Sequence, residues 1–115
     1  MRAMSIKFNT EKMADEVTMV EITNYKDYYQ LINSDIFDVA MVEWDKQPIS
    51  IFVDDEGMLK SGNHGRMVKG YPQPLFGDIV IVGGVDQEGE TLPLPDEFSP
   101  VNINMYVGPV RYITN

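Results

Sequence analysis

The sequence predicts an α+β fold, a mainly antiparallel sheet of about five or six strands with one helix packed on a face. Three observations carry that prediction. Short β-branched or alternating runs are separated by turn residues. A single stretch shows the apolar spacing of a helix. One run, Ile79-Val80-Ile81-Val82, is apolar without interruption between Asp78 and Gly83-Gly84, as in a strand buried on both faces.

Taken in order, Ser5-Ile6-Lys7-Phe8-Asn9 alternates with period two, and Val17-Thr18-Met19-Val20-Glu21-Ile22 is rich in β-branched side chains. The two are expected to pair as a hairpin. Tyr25, Tyr28, Tyr29 and Ile32 then fall at i, i+3, i+4 and i+7 and line one helical face. Asn24 is placed to cap that helix, Asp27 complements its positive end, and Asn33-Ser34 is the expected stop. An aromatic stripe at this spacing is read as the face packed on the sheet rather than a platform for bases or sugars.

A strand from Phe37 to Trp44 is followed by Lys46-Gln47-Pro48 as the turn and Ile49-Ser50-Ile51-Phe52-Val53 as the return strand. Asp54-Asp55-Glu56-Gly57 reads as a second, solvated turn before Met58-Leu59. Residues 60–77 mix glycine, proline and polar side chains, which predicts a long loop. Ile79-Val80-Ile81-Val82 is expected at the centre of the sheet. Leu92-Pro93-Leu94-Pro95 predicts an extended backbone, and residues 101–107 alternate as an edge or return strand.

The chain has 115 residues, 43% of them hydrophobic and 23% charged, which suits a single domain over residues 1–115. Cysteine is absent, which excludes disulfides, thiolate metal sites and cysteine nucleophiles and fits a reducing compartment. No apolar run is long enough to span a bilayer, and the opening residues lack the apolar core of a signal peptide. A cytoplasmic location without membrane contact is expected. Eighteen acidic against nine basic side chains give a formal charge of −9, which disfavours direct nucleic-acid binding and leaves a basic partner surface, or no charged partner at all, open. A protein partner is expected, with a homo-oligomer left open.

Conventional chemistry is sparsely represented. The acidic turn lacks the spaced oxygen ligands of a calcium loop, so no metal site is expected there. His64 is the sole histidine, which rules out multi-histidine zinc sites. Ser61, three residues before it, has no nucleophile-elbow context. Gly62-Asn63-His64-Gly65-Arg66 lacks the Gly-Lys-Ser/Thr of a P-loop, and Gly83-Gly84 lacks dinucleotide-binding spacing. No catalytic residue, metal or cofactor is therefore assigned.

The stretch Ile49-Ser50-Ile51-Phe52-Val53-Asp54-Asp55-Glu56-Gly57-Met58-Leu59, a loop holding Asn63 and Arg66, and Gly77-Asp78-Ile79-Val80-Ile81-Val82-Gly83 together resemble a family. It is the set of small bacteriophage and mobile-element proteins called domain of unknown function 3846. The resemblance lies in the middle third of the chain. It implies a phage, prophage or mobile-element accessory protein without an assigned activity.

The function expected is thus a non-catalytic accessory or interaction protein. Two alternatives follow from the residues: an acidic decoy of a host nucleic-acid-binding enzyme, or a small hydrolase or ligand-binding protein using Ser61, His64 and Arg66. A partner is expected on residues 60–76 and the adjoining sheet ends, through Asn63, Arg66, Lys69 and Tyr71. This segment concentrates positive charge in a negative chain, and Tyr71 and Phe76 supply aromatic anchors.

Overall fold

The computed structural model describes residues 1–9, 11–12, 14–44, 46–57, 65–98 and 107–109. The strands β1 (Arg2–Asn9) and β2 (Ala14–Glu21) are followed by the helix α1 (Lys26–Ile32), then by β3 (Phe37–Trp44) and β4 (Gln47–Asp54). Four further strands complete the order: β5 (Gly65–Val68), β6 (Leu75–Phe76), β7 (Ile79–Gly83) and β8 (Val107–Pro109). One sheet has five strands in the order β2-β1-β7-β4-β3, and the other has three in the order β6-β5-β8. Every pairing in both is antiparallel. The fold is α+β, with one helix among the described residues.

The two predicted hairpins form and flank β7. Ile81 pairs with Met4 on one side and Ile51 on the other, and Ile79, Val80, Ile81 and Val82 are fully buried. Their branched side chains suit a strand covered on both faces. The β3–β4 turn differs from the expected one. Trp44 pairs with Gln47 and Glu43 with Pro48, so the return strand starts before the proline. Pro48 is tolerated because pairing with β7 begins only at Ile49, so its missing amide hydrogen falls outside that register.

Alternation along the strands divides the core in two. Met4, Ile6, Ile49, Ile51, Ile79 and Ile81 face Val68 and Leu75 of the small sheet, together with Leu94 and Phe98. Ala3, Phe52, Val80 and Val82 face Tyr28 and Ile32 of α1. The helix face is aromatic, with the Tyr28 and Phe52 ring centroids 4.4 Å apart. Tyr25 leaves the expected stripe: it is 61% exposed and meets Phe37 and Tyr29 at the rim.

The helix start also differs in detail. Tyr25 occupies the cap position without a side-chain cap bond. Asp27 folds back instead, its Oδ2 accepting from the Thr23 amide at 2.8 Å and the Asn24 amide at 3.1 Å. These bonds hold its carboxyl below the usual range. Asn24 contributes by accepting from the Lys26 amide at 2.9 Å. The stop is as expected, with Asn33 in the left-handed region at φ 57°.

Residues 65–76 depart most from the sequence reading. Where a continuous loop is predicted, Gly65 and Arg66 pair with Phe76 and Leu75 to make β5 and β6, separated by a turn closed by the Tyr71 amide on the Val68 carbonyl at 3.0 Å. The strands are too short, and too broken by Gly70 and Pro72-Gln73-Pro74, to show a periodicity. Residues 58–64 and most of 101–107 lie outside the described residues, so the expected strand at 101–107 is represented only by Val107 in β8.

Candidate functional site

A groove of about 360 Å³ opens where the β3–β4 end of the large sheet meets the segment entering β6. Antiparallel register builds one wall. Asp38 lies opposite Val53, and Phe37 opposite Asp54, so Asp38, Asp54 and the following Asp55 arrive at the same sheet end. The other wall is Tyr71, Gln73, Pro74, Leu75 and Phe76. Its surface is mostly apolar with carboxylates at the edge.

The carboxylates are held differently. Asp54 is 7% exposed, and its Oδ1 accepts from the Ser34 hydroxyl at 2.8 Å and the Glu56 amide at 3.0 Å. Asp38 and Asp55 are exposed. Asp38 Oδ1 accepts from the Val39 amide at 2.8 Å, which fixes the side chain without hiding it. Among the described residues, no three His, Cys, Asp or Glu side chains are placed to share a metal ion. The groove therefore offers negative charge beside apolar and aromatic surface.

The expected contacts divide. Tyr71 lines the groove half-buried and packs at the margin of the core. Lys69 is exposed on the preceding turn. Arg66 is 1% exposed. Its Nε and Nη2 donate to Asp15 at 3.0 and 2.7 Å, and its Nη1 donates to the Gly77 carbonyl. That side chain is an internal tie between β5, the start of β2 and the entry to β7, not an exposed anchor. Asn63 lies outside the described residues, as do Ser61 and His64 of the Ser61-His64-Arg66 set.

The family described as domain of unknown function 3846 matches residues 6–108. The chain belongs to this family. The match extends well beyond the middle third on which the sequence resemblance rests, and takes in every residue lining the groove. No curated protein and no solved structure gives a match.

In this family member the corner around Arg66 is electrostatically crowded. Asp78 is half-buried at the entry to β7. Burial raises its carboxyl above the ordinary value, against the opposing pull of the Lys7 charge, a hydrogen bond from the Phe8 backbone and the Arg66 charge. Sequence reasoning names Tyr71 but misses Asp38, Asp54 and Asp55 as a group. Asp54-Asp55 reads as a solvated turn, and only the hairpin register carries Asp38 to the same place.

Proposed function

We propose that the chain is a non-catalytic interaction protein of a phage, prophage or other mobile element, and that it engages a protein partner through the groove between the β3–β4 end and β6. The observation that carries the reading is the groove itself: apolar and aromatic surface rimmed by exposed charge is the anatomy of an interface anchor. Its volume of about 360 Å³ is near the lower limit for small-molecule sites and suits one or two inserted side chains. The mobile-element context comes from the family resemblance.

Site-specific photo-cross-linking tests this. A photoreactive side chain at Gln73, on the groove wall, is expected to give one defined protein adduct in a lysate of a bacterium carrying the element. The same probe at Val85, exposed on a different loop, is expected to give none. Equal adducts from both positions, or none from Gln73, overturn the reading. In the rival reading the carboxylates imitate phosphates. It predicts instead a nucleic-acid-binding enzyme as the adduct, with a yield that falls steeply as salt is raised.

A further inference from the structure

We infer that the groove is an arginine socket: its occupant is a protein segment that inserts one arginine side chain between the Asp38 and Asp55 carboxylates and the Tyr71 and Phe76 rings. This rests on the proposed interaction through the groove and adds the chemistry of the partner.

Three features select arginine. The wall formed by Val53, Pro74, Leu75 and Phe76 is apolar, so the occupant must carry hydrocarbon as well as charge. Asp38 and Asp55 are exposed at the rim, and the chain as a whole carries −9, so the charge must be positive. A metal ion would need converging ligands, and no such set exists among the described residues. Between lysine and arginine, a planar guanidinium can stack on an aromatic face while its edge donates to a carboxylate, whereas an ammonium is more strongly hydrated and acts as a point charge.

The protein already shows the same chemistry internally. Arg66 is bidentate on Asp15 and fully enclosed, so its own guanidinium is not available to fill the groove.

The test uses the full chain, isotope-labelled for NMR, and a capped glycine-serine peptide with one central arginine. Its control carries citrulline, the uncharged isostere, at the same place. The arginine peptide is expected to shift the amides of residues 38, 53–55, 71, 73, 75 and 76 saturably, and the citrulline peptide to bind about tenfold more weakly or worse. An Asp38→Asn, Asp55→Asn double variant should lose the same discrimination while keeping its fold, since both side chains are exposed and an asparagine oxygen can still accept from Val39. Equal binding of both peptides, shifts centred elsewhere, or unchanged discrimination in the double variant overturns the socket. If the Gln73 adduct forms while this test fails, the groove is an interface for other chemistry. If neither appears, the interaction reading falls as well.

Discussion

Arg66 and Phe76 lie only ten residues apart in the chain and face each other's strands across one short sheet, yet the two ends of this segment are put to opposite uses. At the Arg66 corner, charge is enclosed and neutralised: a guanidinium 1% exposed meets Asp15 and the Gly77 carbonyl. At the groove, Tyr71 and Phe76 leave a cavity, and Asp38 and Asp55 stand exposed beside it. A basic residue in an acidic chain invites the reading that it meets a partner. Here it is the acidic residues that remain exposed. A charge is available for binding only after internal pairing has been satisfied, and that is decided by topology rather than by composition.

The comparison breaks most directly at Arg66. Arg66→Ala removes two donors to the Asp15 carboxylate and the donor to the Gly77 carbonyl, and should cost about 3 kcal/mol of folding stability. That is the lower end for a broken buried pair, because Asp15 retains a quarter of its side-chain exposure. Urea unfolding measures it. The double variant Arg66→Met, Asp15→Leu should cost less than Arg66→Ala alone, since it leaves no charge without a partner. If Arg66→Ala unfolds at the parental midpoint, the corner is not a structural tie, and the contrast between the two ends is lost.

Gly57→Ala probes the groove wall and should have the next largest effect. A Cβ at Gly57 would stand 2.5 Å from the Phe76 carbonyl oxygen and 3.2 Å from its carbon, and backbone at that distance must move. Overpacking of this kind costs about 2 kcal/mol, and the strand that moves is β6, which carries Phe76 into the groove. Gly70→Ala provides the contrast. It meets no atom within 4 Å but sits at φ +92°, so its cost is local strain of about 1 kcal/mol with no displacement of β6. Amide shifts of residues 73, 75 and 76 that change in Gly57→Ala and not in Gly70→Ala would sharpen the assignment of that wall.

Most of the fold was legible in the sequence because it is written in side-chain period. The two hairpins and β7 follow from alternation and from an uninterrupted apolar run, and the family resemblance rested on the same structural residues. The groove was less legible. Strands of four and two residues are too short to carry a period, so β5 and β6 merged into one loop. The enclosure of Arg66 depends on contact with Asp15, 51 positions away, and no local pattern records such a contact. Tyr25 shows the converse error. Its spacing placed it on the packed stripe, but it stands at the cap position before the helix and is largely exposed.

The smallest expected effect lies in pH dependence, and it probes the Arg66 corner without disturbing packing. Asp78, at the Arg66 corner, has a carboxyl raised above 3.8 chiefly by burial. A raised folded value means that its contribution to stability is fully present below the unfolded value of 3.8 and is lost as pH rises through the folded value. Asp78→Asn should therefore stabilise the fold relative to the parent at neutral pH, and the difference should vanish toward pH 3, where the parent's carboxyl is protonated in both states. Asp27 tests the sign from the other side. Its folded value is lowered by the Thr23 and Asn24 bonds, so its contribution is present above 3.8 and lost as pH falls through the folded value. Asp27→Asn should then cost stability at neutral pH and progressively less in acid. Urea midpoints for both variants across pH 3 to 7 should diverge from the parent in opposite directions at the neutral end. Divergence in the same direction would mean that the Asp78 charge is compensated by Lys7 and Arg66 more fully than its burial allows. Charge pairing, and not burial, would then govern the Asp78 carboxyl in that enclosed corner.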